Sequence, residues 1–176
     1  SVMQNRDYIS LSEAVIDIYK APYLGIQSDQ VKIFKGRQGS NVKKADTLIV
    51  KLQGGPNVLL LLDIVKNTNL SISFDELDNY HFEFGSMVNI DDKQNWVILF
   101  SPAVATDMPL YHGKLYISQD EKAIMRAEFS LDLTDQDKAA GVFVRKKPAG
   151  LLFMPVSTSY LVAYQEHGGR YYLNYV

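Results

Sequence analysis

Residues 111–133, YHGKLYISQDEKAIMRAEFSLDL, constrain the fold more than any other stretch, because their apolar residues recur with a period of two. From Ala123 the odd positions Ala123, Met125, Ala127, Phe129, Leu131 and Leu133 are apolar, while Arg126, Glu128, Ser130 and Asp132 fill even ones. That alternation belongs to a strand with one buried face and one wet face. On the preceding run Gly113, Leu115 and Ile117 alternate with His112, Lys114, Tyr116 and Ser118, and Gln119-Asp120-Glu121 is the polar connection. The two runs predict a long antiparallel hairpin. A two-stranded ribbon is not stable alone, so the chain must add strands and an apolar cover for the inner row.

Composition sets the outer limits. A chain of 176 residues, 47% hydrophobic and 22% charged, suits one domain, residues 1–176, with a real core. The start reads as an approach to a strand and the end as the apolar run YYLNYV, so the domain is expected to be a fragment of a longer protein. Lys+Arg 18 against Asp+Glu 20 leaves a net charge of -2, which argues against a general nucleic-acid binder. The absence of cysteine excludes disulfides, thiolate nucleophiles and cysteine-ligated metals. No apolar run is long enough for a transmembrane helix.

Along the rest of the chain, residues 8–19 satisfy two patterns. Ser10-x-x-Glu13 fits a capping box, and Leu11, Ala14, Val15, Ile18 and Tyr19 share a helical stripe. The richness in Ile, Val and Tyr favours a strand instead, with a bulge near Ser12-Glu13 that puts Ile9, Leu11, Ala14, Ile16 and Ile18 on one face. Residues 31–35 and 48–52 read as strands joined by the exposed loop GRQGSNVKKAD. Asn57 is placed to cap a helix through VLLLLDIVKN, apolar all round and therefore expected to be buried. After the turn FDELDN, residues 80–84 and 96–100 are strands, with Asp91-Asp92-Lys93-Gln94 a turn. TDQDKAAGVF is a short helical or turn segment, ended by Pro148 and Gly150. Residues 152–165 and 170–176 form a final hairpin around Glu166-His167-Gly168-Gly169.

Chemical motifs are sparse. His81, His112 and His167 fall in three different elements, and none lies at metal-ligand spacing from another. There is no G-x-S-x-G elbow, P-loop or G-x-G-x-x-G. Asp75, Glu76 and Asp78 belong to a turn or cap, and Glu128 and Asp132 to the wet hairpin face, so solvated carboxylates are the expectation. The cluster Arg145-Lys146-Lys147 is the one candidate binding site, suited to a phosphate, an anionic lipid head group or an acidic partner. No cofactor or metal is expected.

The blocks SEAVIDIYKAPY, VKIFKGRQGSNVKKADTLIVKLQGGP, LLDIVKN, LYHGKLYIS with MRAEFSLDL, and FVRKKPAGLLFMPVSTSYLVAY with YYLNYV carry a resemblance. Together they resemble the region after the N-terminal domain in the Bacteroidetes envelope proteins called carboxypeptidase-like regulatory-domain proteins. The likeness covers nearly the whole chain and implies a place in the periplasm or at the outer membrane. The family name belongs to a small β-sandwich expected upstream and implies no peptidase activity, and this segment carries no zinc-ligand set. The element order is also similar to the half-barrel of periplasmic lipoprotein carriers, a curved antiparallel sheet over helices that leaves an apolar cavity.

The expected architecture is therefore α+β: a curved, mostly antiparallel half-barrel with a buried helix on its concave side. The odd-numbered hairpin row should face the helix at Val58 to Val65, and Arg126, Glu128 and Asp132 should face away. The expected function is a non-catalytic binding or scaffold domain whose concave face holds a lipid or other apolar ligand, with an envelope protein as a second kind of partner. The competing expectations are a hydrolase with converged carboxylates or histidine, and an interaction module that accepts a strand at an open sheet edge.

Overall fold

A computed structural model describes residues 2–4, 7–10, 12–21, 29–38, 51–52, 60, 62–66, 74–146, 149–150 and 152–176. The fold is α+β, dominated by an antiparallel sheet that is not closed into a barrel. Its strands are β6 (Tyr80–Phe84), β7 (Val88–Ile90), β8 (Lys93–Pro102), β9 (Tyr111–Ser118), β10 (Ile124–Leu131), β12 (Tyr160–His167) and β13 (Arg170–Tyr175). They lie in the order β13-β12-β10-β9-β8-β6, with β7 also on β8. Ahead of them come β1 (Val2–Gln4) paired with β2 (Asp7–Ser10), and β3 (Ser12–Tyr19) paired with β4 (Gln30–Gln38). The short β5 (Lys51–Leu52) pairs with β11 (Val144–Lys146).

The hairpin that organises the sequence is β9–β10, and it lies in the middle of the sheet. Leu131 opposes Tyr111, Phe129 opposes Gly113, and the register slips once between Ile124 and Arg126, next to the turn. Met125, Ala127, Phe129 and Leu131 are buried, whereas Arg126, Glu128 and Ser130 are only partly so. The period-two pattern thus sorts the two faces as expected. Ala127, Phe129 and Leu131 of the inner row join Tyr80, Phe100, Tyr111, Val162 and Tyr164 in one core, together with Leu62 and Ile64. Tyr111 meets Phe129 edge to face at 5.5 Å, and Tyr160 lies 5.3 Å from Phe129, so aromatic rings fill this part of the inner face.

Of the helix expected over Val58 to Val65, residues 58, 59 and 61 lie outside the described residues, and the remainder differs from the expectation. Leu60 is helical, but residues 62–66 make a turn in which Asp63 N–H donates to the Leu60 carbonyl at 3.3 Å and Lys66 N–H to the Asp63 carbonyl at 3.2 Å. Val65 is 40% exposed, so burial is not all-round. Within that turn the Asp63 carboxylate also accepts from Lys66 N–H at 3.3 Å, a local bond that competes with helical pairing. The described helix is α1 (Gln136–Phe143), which sets Ala139 and Ala140 into the core. Its N-cap, Asp135, accepts from Lys138 N–H at 3.1 Å. Asp135→Ala is expected to cost about 1 kcal/mol in denaturant unfolding.

Residues 12–19 are strand, as the β-branched content favours over the capping-box pattern. The register irregularity falls between Val15 and Ile16 instead of at Ser12-Glu13, and Ile16 and Ile18 are half-buried while Val15, Asp17 and Tyr19 are exposed. Gly36, Arg37 and Gln38, expected in a loop, extend β4 opposite Ser12 to Ala14; residues 39–50 lie outside the described residues. The turn at Asp91-Asp92 is tighter than expected, with φ of 50° and 61°, because both residues adopt the left-handed conformation of a type I′ hairpin. Gly168 and Gly169, at 61° and 77°, do the same between β12 and β13. Regular strand begins only at Tyr160, not at Leu152.

Candidate functional site

A buried charged cluster ties the β3–β4 ribbon to the main sheet. Lys20 follows β3 and Asp29 precedes β4, so the connection between these strands begins and ends on opposite charges. Lys20 Nζ donates to Asp29 Oδ2 and to Asp63 Oδ2, both at 2.9 Å. Lys66 Nζ donates to Asp29 Oδ1 at 2.6 Å and to the Ala21 carbonyl at 3.4 Å, while Ala21 N–H donates to Asp29 Oδ1 at 2.9 Å. The Tyr164 hydroxyl, from β12, donates to Asp63 Oδ1 at 3.0 Å. Asp63 is fully buried. A carboxylate removed from water persists only with charge partners and hydrogen bonds, and here two ammonium groups face two carboxylates. Partial burial opposes ionisation of Asp29, but the bonds from Lys66, Lys20 and Ala21 N–H outweigh it and hold its carboxyl at about 2.

Beside this clasp lies a cleft of about 500 Å³, lined among the described residues by residues 16–20 of the β3 side and 173–176 of the β13 side. Consecutive residues of both strands line it, so it runs between the strands and not over one sheet face. Ile16, Ile18, Leu173 and Val176 supply apolar walls, Asp17, Lys20 and Asn174 polar ones. Its volume falls in the range of small-molecule sites, roughly 300–1,000 Å³. Lys20 belongs both to the cleft and to the clasp, so the charged cluster fixes one wall of the cavity.

The residues singled out from sequence do not converge. Arg145 and Lys146 lie on β11, whose backbone pairs Lys146 with Lys51 of β5; Lys147 is outside the described residues. His81 Nε2 sits 3.1 Å from Glu83 Oε1, yet both side chains are more than 60% exposed on the outermost strand β6. His112 and His167 are exposed on β9 and β12. Glu128 pairs with Arg126 at 2.6 Å, and Asp132 accepts from Thr134 Oγ1 at 2.6 Å, which lowers its carboxyl pKa. Among the described residues no group of three or more His, Cys, Asp and Glu is placed to hold a metal ion.

Sequence reading missed the clasp. Asp63 is the lone acid in the apolar run VLLLLDIV, and a lone acid in a segment bound for the core must find partners. That signal was present, but the partners lie 43 and 101 residues away, beyond the reach of any local pattern. No family model, curated protein or solved structure matches the chain.

Proposed function

We propose that the chain is a non-catalytic binding and scaffold domain of a bacterial cell-envelope protein, in the periplasm or at the outer membrane, and that it holds an apolar or acyl ligand. The envelope placement rests on the resemblance carried by blocks such as IYKAPY, KLQGGP and RKKPAGL. The observation that carries the ligand reading is the ligand-sized cleft between β3 and β13, with Ile16, Ile18, Leu173 and Val176 along its walls. Ligand binding was expected on the inner face of the sheet, where Phe129, Tyr111 and Tyr160 now occupy the space. The ligand is accordingly assigned to the cleft, its chain against the isoleucines and its polar end toward Lys20 or Asn174.

The test is displacement of a fluorescent fatty-acid probe. The wild-type protein is expected to bind it saturably, and Ile18→Glu, which puts a charge in the wall of the cleft, is expected to weaken binding at least tenfold with the fold intact by circular dichroism. Absence of saturable binding to the wild type removes the ligand part of the proposal.

A further inference from the structure

Among the described residues, strand β6 is the outermost on one side of the sheet and pairs only with β8. Tyr80 opposes Pro102, Phe82 opposes Phe100 and Phe84 opposes Ile98. The flanking bonds, Ala103 N–H to the Asn79 carbonyl and Gly85 N–H to the Val97 carbonyl, both 2.8 Å, fix the phase of the ladder. Odd-numbered residues of β6 therefore make the hydrogen-bonded pairs with β8, and the N–H and C=O groups of Tyr80, Phe82 and Phe84 point along the open edge. Edges of this kind are usually blunted by lysine, proline or a covering segment. Here Phe84 is 81% exposed, Phe82 37% and Met87 49%.

We propose that this edge pairs with β6 of a second copy of the chain, antiparallel about a two-fold axis through Phe82, so that two sheets become continuous. Outward-pointing residues must face one another across the axis, which an axis at any residue of β6 satisfies, and only an axis at Phe82 keeps all five residues of β6 paired. In that register Tyr80 meets Phe84 of the second copy, and Phe82 meets its own equivalent, each pair exchanging both backbone hydrogen bonds. His81 then faces Glu83 of the second copy, and Glu83 faces His81. These are the pairs with the closest side chains, and their chemistry is complementary. An axis through Glu83 would instead set like charges against each other. The sequence YHFEF is thus self-complementary in the one register that pairs all five of its residues.

Sedimentation or light scattering over a range of concentrations tests the pairing. The wild-type chain is expected to reach twice the monomer mass. Phe82→Lys, which meets its own charge at the axis, should give monomer. Phe82 also touches Tyr80 and Phe100, with ring centroids at 6.2 and 6.5 Å, so a second, exposed pair guards against misfolding. His81→Glu, facing Glu83 of the second copy, should weaken the dimer at least tenfold, and adding Glu83→Lys should restore it. Because the chain contains no cysteine, Phe82→Cys reports the axis directly: it should form a disulfide-linked dimer on oxidation, and Asp120→Cys in the far turn should not. A monomeric wild type at every concentration, or a dimer indifferent to both Phe82→Lys and His81→Glu, overturns the proposal.

Discussion

Gly113→Ala is expected to prevent folding, or to destabilise the domain by at least about 3 kcal/mol, lowering the thermal midpoint by roughly 6–12 °C. Gly113 lies in the central strand β9 between Phe100 of β8 and Phe129 of β10. A β-carbon there would lie 2.7 Å from Phe129 Cα and 2.8 Å from its Cβ, and would also run into the Glu128 carbonyl oxygen. Two of these obstacles are backbone atoms of a paired strand. No rotamer change relieves them, and the β9–β10 ladder would have to separate. The contrast is Gly141 in α1, where a β-carbon meets nothing within 4 Å; Gly141→Ala should be neutral or stabilising by up to about 1 kcal/mol. Denaturant unfolding of the two variants side by side distinguishes a steric requirement from a general loss of glycine.

The second large effect is expected at Asp63. Asp63→Ala takes a carboxylate from Lys20 and an acceptor from the Tyr164 hydroxyl and Lys66 N–H. Asp29 is then left facing both ammonium groups alone, and a positive charge left uncompensated out of water typically costs about 3–5 kcal/mol. Tyr164→Phe removes a single hydrogen bond and should cost only about 1–2 kcal/mol. A cost for Asp63→Ala well above that for Tyr164→Phe in chemical denaturation is the result that shows the ion pairs, not the hydroxyl, to hold the clasp together. Asp29 adds a pH dependence of definite sign. Its carboxyl pKa falls from the ordinary 3.8 to about 2 on folding, so its stabilisation is complete above about pH 5 and disappears as the pH falls from 4 to 2. The difference in thermal midpoint between wild type and Asp29→Asn should accordingly shrink over that interval.

Local periodicity carried the sheet, while long-range chemistry carried the site. The β9–β10 hairpin, the strand character of residues 12–19 and the two hairpin turns at Asp91-Asp92 and Gly168-Gly169 follow from patterns a few residues long. Gly113 was legible as a member of the inner row but not as a contact point, because its requirement comes from Phe129 across the ladder. The apolar run around Leu62 and Ile64 does reach the core, but the period alone gave no reason for residues 62–66 to form a turn. The clasp joins Lys20, Asp29, Asp63, Lys66 and Tyr164 across three separate parts of the chain, and each of these residues is ordinary where it stands. The basic cluster at Arg145, Lys146 and Lys147 drew notice by its density, yet charge density in a sequence says nothing of where a cavity forms.

The clasp and the cleft belong to one device. Holding Lys20 against Asp63 fixes the end of β3 beside β12, and the space left between β3 and β13 is the proposed ligand site. Native mass spectrometry of the domain purified from its own host tests this most directly. An adduct of lipid or acyl-chain mass is expected on the wild type, lost in Ile18→Glu and reduced in Asp63→Asn. Adduct-free wild-type protein, or an adduct equally abundant in Ile18→Glu, would contradict it.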